Sequence, residues 1–154
     1  MILVSSCLCG EKCKYNGEDN LNIDVMAYLA QKEVMNVCPE VLGGLSTPRV
    51  PAEIVGGSAR DVLKGNAKVM TKEGEDVTMA FIRGANKVLQ IAKQFNAKQA
   101  VLKAKSPSCG KGEVYDGSFN HNLIVGNRIT AEILLEEGIE VITEVELSKQ
   151  VKTL

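Results

Sequence analysis

The feature that most constrains this chain is a regular alternation of short apolar runs with stretches of helical periodicity. Residues 2–7 (ILVSSC) form an apolar run that closes in small polar residues. Residues 21–31 then place Leu21, Val25, Tyr28 and Leu29 at helical spacing, and residues 34–38 (VMNVC) form a second short run stopped by Pro39. Further on, Asp76 stands before an amphipathic stretch reaching Phe95, with Val77, Ala80, Phe81, Ala85, Val88, Ile91, Ala92 and Phe95 on one stripe. Residues 97–105 make a third strand. Residues 128–137 make another helix, ended by Gly138, and residues 139–145 a fourth strand. A β-α-β order of this kind buries apolar strands only under helices on both sides. The reading is an α/β fold: one domain over residues 1–154, three layers, with a mainly parallel sheet of about four strands flanked by helices and right-handed crossovers.

Two stretches break the alternation. Residues 10–20 are polar and glycine-rich and read as a loop. Residues 39–66 carry three prolines and two Gly-Gly pairs and read as irregular, with residues 67–71 as a short strand and room for a small hairpin. A loop this long in a compact domain usually serves function.

A parallel sheet has a consequence for the cysteines. All strands run one way, so their C-terminal ends share one edge, where open α/β folds bind ligands. Cys7 ends the first strand, Cys38 ends the second and Cys109 follows the third; Cys13 lies in the loop after the first and can fold back. The site is therefore expected at the C-terminal strand edge. The cysteines number five, an odd count, and no basic leader precedes the first apolar run, so a cytoplasmic protein with reduced thiols is expected. Thiols flanked by glycine and proline suit metal ligation or reactivity better than bridging. No CxxC pair favours zinc, and the single histidine, His121, reads as a solvated loop residue. An iron–sulfur cluster tolerates scattered ligands because its corners are separated. From the residues alone, an iron–sulfur site, a zinc site, thiol redox chemistry and buried inert thiols all remain open.

Other residues read more plainly. Cys9, between Leu8 and Gly10, fits a small buried hydrophobe. Glu40 in "CPE" is either a solvated loop carboxylate or a site group, and Arg49 either an anion anchor or a surface charge. Tyr115 and Asp116 suit a turn, and Lys103 and Lys105 suit solvated strand ends. No GxGxxG or GxxxxGK[ST] pattern supports nucleotide binding through those motifs. A net charge of −1 offers nothing to attract nucleic acid or anionic lipid, and no run is long enough to span a membrane.

Four blocks carry a family resemblance: "SSCLCGEKCKYNG" (5–17), "VCPEVLGGLSTPRVPAEIVGG" (37–57), "DVTMAFIRGA" (76–85) and "LKAKSPSCGKGEVYDGSF" (102–119). In this order they resemble the small bacterial and archaeal family of domains that includes the thiouracil desulfidases, over about residues 2–145. The resemblance implies a 4Fe–4S cluster held by three cysteines, which leaves one iron open for the sulfur of a small thiocarbonyl substrate. It also implies a glutamate and a serine that position water, so that oxygen replaces sulfur without net redox change. Carried over, the glutamate falls on Glu40 and the serine on Ser106, the first serine of "SPSCG". The ligand candidates are Cys7, Cys13, Cys38 and Cys109; Cys7, Cys38 and Cys109 are favoured because each ends a different strand, and Cys13 is the fourth. Cys9 stands where the family usually carries an aliphatic residue. The alternatives are a non-catalytic metal- or sulfide-binding module and a thiol-redox protein.

Overall fold

The structure, a computed structural model, describes residues 1–152. Its centre is a sheet of four parallel strands: β1 (Ile2–Ser5), β2 (Val34–Val37), β5 (Gln99–Leu102) and β8 (Glu140–Thr143), in the order β2-β1-β5-β8. Between β2 and β5 the chain forms β3 (Ala52–Val55) and β4 (Lys68–Thr71); between β5 and β8 it forms β6 (Glu113–Tyr115) and β7 (Leu123–Val125). Each of these pairs is an antiparallel two-stranded ribbon. The helices are α1 (Ile23–Leu29), α2 (Pro39–Leu42), α3 (Ala59–Leu63), α4 (Thr78–Gln94), α5 (Ile129–Glu136) and α6 (Glu144–Lys152).

Strand pleat explains the three layers. Leu3, Ala100, Leu102 and Val141 face one side, where they meet Val88 and Ala92 of α4 and Ala131 and Leu134 of α5. Their neighbours Val4, Val101 and Ile142 face the other, against Val25 and Leu29 of α1 and Leu147 of α6. A strand buried on both faces needs apolar residues at consecutive positions, and these runs have them. The β3–β4 hairpin extends the first layer: Ala52, Ile54 and Val69 pack on Phe81 and Ala85 of α4 and Ile129 of α5.

The parallel α/β sheet agrees with the sequence reading, whereas several boundaries do not. The first strand stops at Ser5 because Ser6–Cys9 tightens into a 3-10 turn closed by Gly10 at φ 94°. The fourth strand ends at Thr143 rather than 145, and α6 starts at once. The third strand likewise covers only Gln99–Leu102, and the first helix only Ile23–Leu29, with Leu21 57 % exposed. Helix α4 starts two residues after Asp76, whose Oδ1 accepts the Thr78 N–H at 2.9 Å. Phe95 lies beyond its last turn and is exposed. Gly138, at φ 80°, closes α5 as expected, with its N–H on Leu135 O and the Ile139 N–H on Leu134 O. The segment 39–66 is not irregular: it holds α2, β3 and α3, the last begun by a capping box in which Ser58 and Asp61 exchange hydrogen bonds. Among the described residues no helix is long and apolar enough to cross a membrane.

One contact places α2. A Cβ on Gly84 would lie 1.8 Å from the Pro39 carbonyl oxygen, and one on Gly43 would lie 2.0 Å from that of Ala80. The two helices therefore meet backbone to backbone, and Arg83 adds two hydrogen bonds to the Gly43 oxygen. Alanine at a helical glycine ordinarily gains about 1 kcal/mol of propensity. Here a methyl against a carbonyl cannot turn away, and overpacking costs about 1–3 kcal/mol. Gly84→Ala is accordingly expected to lower stability, read as a fall in the thermal midpoint; a rise would show that α2 can move aside freely.

Candidate active site

In the sheet order the chain leaves β1 for β2 on one side and later adds β5 and β8 on the other, so the order reverses between β1 and β5. Such a switch point opens a crevice at the strands' C-terminal ends. Cys7 lies in the turn leaving β1, Cys38 caps α2 just past β2, and Cys109 follows β5. The Ser5 hydroxyl accepts the Lys103 N–H at 3.0 Å and ties the two exits together. A cavity of about 820 Å³ stands over this edge, lined by Cys7, Cys13, Cys38 and Cys109, with Glu40 and Ser106 among its walls. The two hairpins add Glu53, Thr71, Tyr115, Phe119 and His121 to its lining.

The thiols differ sharply. The single Cys13 S–H is shared between Cys38 and Cys7, and this pushes its own pKa far up. Cys7 is lowered to about 7, chiefly by the Cys13 hydrogen bond, with Asn20 and Lys103 helping against burial. Cys38 is lowered by the same donor and by the Val41 N–H at the start of α2. Cys109, only 2 % exposed, is pushed up to about 12 by burial, against its contacts with the Ser108 and Ser5 hydroxyls. Cys9 stands apart: it packs against the Val4, Leu8 and Val25 cluster, is raised chiefly by burial, and does not line the cavity. Thiolate is the reactive form. In cluster-free protein, Cys7 alkylation by iodoacetamide is therefore expected to rise steeply from about pH 6 to about pH 8, while Cys109 stays unmodified until the protein unfolds. Peptide mass mapping against pH reads this; a Cys109 adduct on folded protein would contradict it.

Glu40 is not a solvated loop carboxylate. Pro39 at the first helical position fixes the entry into α2, and Glu40 is 7 % exposed. Its Oε2 accepts two bonds from Arg49, from Nη2 at 2.7 Å and Nε at 3.0 Å. Its Oε1 accepts from the Ser108 hydroxyl at 2.5 Å. Arg49 is thus an anchor rather than a surface charge, and its Nη2 also holds the Cys13 carbonyl at 2.8 Å. One guanidinium joins the carboxylate to the loop that carries Cys13.

Ser106 lines the cavity, and its oxygen accepts the Cys109 N–H at 3.2 Å and the Ser108 N–H at 3.3 Å. The residue the sequence did not single out is Ser108, 1 % exposed, which touches Glu40 and lies 3.5 Å from Cys109 Sγ. Both serines flank Pro107, and only the turn decides which hydroxyl reaches the carboxylate. Lys103 is half-buried against Glu144 at 3.2 Å, while Lys105 is exposed. His121 is exposed at the rim, edge-on to Tyr115 with ring centroids 5.7 Å apart. Asp116 accepts the Ser118 N–H at 2.9 Å, the turn expected beside Tyr115.

Among the described residues, no three His, Cys, Asp or Glu side chains are grouped for a single metal ion. The donors lining the cavity are soft thiols from separate strand ends, a set that suits an iron–sulfur cluster by ligand chemistry.

The 2-thiouracil desulfurase family matches residues 2–146. The chain belongs to that family. Like this member, the uncharacterized protein YbbK of Bacillus subtilis (strain 168) is short: it is 49 % identical over 148 residues, 96 % of this chain and 98 % of its own. A solved structure, the 4Fe-4S-dependent thiouracil desulfidase TudS, superposes with a TM-score of 0.82 at 35 % identity, covering 99 % of this family member and 98 % of TudS.

Proposed function

We propose that this chain is a 4Fe–4S-dependent desulfidase acting on a small thiocarbonyl compound of the thiouracil type. The observation that carries the reading is the meeting of four cavity-lining thiols with one buried, anchored carboxylate at the sheet edge. Family membership and the likeness to TudS support the cofactor and the substrate class.

Cys7, Cys38 and Cys109 would hold the cluster, with Cys13 the fourth candidate. When bound, the cluster supplies a soft Lewis acid for the substrate's sulfur. The chain's own residues handle the water. Arg49 occupies Oε2 of Glu40 and Ser108 donates to Oε1. An ionised carboxylate has about four acceptor sites, so Glu40 can accept one more bond, from a water in the cavity, and take its proton. The Ser106 oxygen already accepts two backbone N–H groups, which turns its own proton toward Ser108 or the cavity. In the cavity it orients the water. The reaction balances without redox change: the water oxygen bonds to carbon, the carbon–sulfur bond breaks, and thiocarbonyl plus water gives carbonyl plus hydrogen sulfide.

The test is anaerobic reconstitution with iron and sulfide, followed by hydrosulfide release from 2-thiouracil. A brown protein that releases hydrosulfide and forms uracil is expected. Iron-loaded protein that binds sulfide but forms no uracil would return the chain to a binding module, and a colourless protein with tight zinc would exclude the cluster.

A further inference from the structure

The hairpin wall of the cavity holds a second buried carboxylate. Glu53, in the middle of β3, is 9 % exposed and lines the cavity. Its Oε1 accepts the Gly117 N–H at 2.9 Å, which ties the loop between β6 and β7 to β3. That loop sits close: a Cβ on Gly117, whose φ is 93°, would lie 2.4 Å from the Ile54 carbonyl oxygen. Oε2 makes no hydrogen bond among the described residues. Arg128, 3 % exposed, lies close enough for Glu53 to offset the burial that lowers it to about 10; its Nη2 donates to the Tyr115 carbonyl, and its buried Nε has no partner among the described residues, Glu53 included.

A carboxylate this buried needs donors at both oxygens, and only one has a donor from the protein. The other is not sealed off from the cavity that Glu53 shares with Cys7, Cys13, Cys38 and Cys109. A thiouracil has N–H groups beside its C=S carbon, so its sulfur and its N–H are presented to different partners. We infer that Glu53 is the substrate-binding residue that accepts a ring N–H of the thiocarbonyl compound through Oε2, turning its sulfur toward the cysteine edge. This rests on the function proposed above. It also predicts selectivity for thioamide rings that retain N–H, because a carboxylate left unpaired by an N-methylated ring is penalised on binding.

The test compares 2-thiouracil with its N,N-dimethylated analogue on iron-loaded protein, by calorimetric binding and by steady-state kinetics. Wild-type protein is expected to bind 2-thiouracil about 10- to 100-fold more tightly than the methylated compound. Glu53→Gln keeps an oxygen for the Gly117 N–H but presents an amide donor to the cavity. It is expected to raise KM for 2-thiouracil by a similar factor, to leave kcat near wild type and to leave binding of the methylated compound unchanged, while the thermal midpoint falls because buried Arg128 loses the charge that offsets its burial. Equal losses for both compounds would make Glu53 a strut for the hairpin and overturn the assignment. Should Glu53→Gln not fold, the wild-type comparison decides alone, and equal affinity for the two compounds overturns it. Wild-type turnover of 2-thiouracil with an unchanged Glu53→Gln overturns this inference only. A wild type that neither binds nor desulfurises 2-thiouracil overturns the functional reading and this assignment with it.

Discussion

Glu40→Gln is expected to cut hydrosulfide release from 2-thiouracil by about 100- to 10,000-fold, the usual worth of a general base. Iron and acid-labile sulfide should stay at wild-type levels. Glutamine fills the same volume and still accepts from Ser108, but it cannot take a proton from water. The substitution also strips the charge from a pair whose side chains are only 8 % and 9 % exposed, leaving Arg49 buried without a counter-charge. Removing one partner of a buried pair costs about 3–5 kcal/mol, so solvent screening does not rescue the variant as it would at the surface. A lower thermal midpoint should accompany the lost activity, read by calorimetry at equal iron loading. Wild-type turnover by Glu40→Gln would remove the carboxylate from the chemistry.

The second large effect concerns the thiols. Cys38→Ser and Cys109→Ser are each expected to abolish retention of the cluster, from about four irons per chain to below about one, with loss of the broad visible absorbance. Serine keeps the shape but replaces a soft donor with a hard, protonated one. Cys9→Ser should keep full iron, because Cys9 packs into the layer under α1 and does not line the cavity. Cys13→Ser discriminates between the candidate ligand sets: retained iron fits Cys7, Cys38 and Cys109 as ligands. Unchanged iron in both Cys38→Ser and Cys109→Ser would end the cluster reading of these cysteines.

The parts of the site that were legible in the sequence are those that depend on chain direction alone. Once four apolar runs are read as parallel strands, Cys7, Cys38 and Cys109 must meet at one edge, whatever the side-chain details. Glu40 and Arg49 were visible as residues but not as a pair. Their bond depends on where α2 sits, and that is set by Gly43 and Gly84 meeting Ala80 and Pro39 through the backbone. A contact between backbones leaves no hydrophobic period to read. The strand read at 67–71 and the room left for a hairpin match the β3–β4 pair, but the β6–β7 hairpin was hidden for a related reason: β7 (LIV) is exposed at every position, so its pattern does not alternate as a half-buried strand would.

Local sequence thus determined the three-layer α/β order, the shared cysteine edge and the closing glycine of α5, because burial period and glycine's freedom at positive φ act over a few residues. Only tertiary structure decided that Ser108 rather than Ser106 bonds Glu40, that Cys13 sits between Cys7 and Cys38, and that Glu53 faces the cavity. Those outcomes depend on ångström-scale placement of segments as much as 68 residues apart. That placement follows from how helices and hairpins pack on the sheet, which no short stretch of the chain encodes by itself.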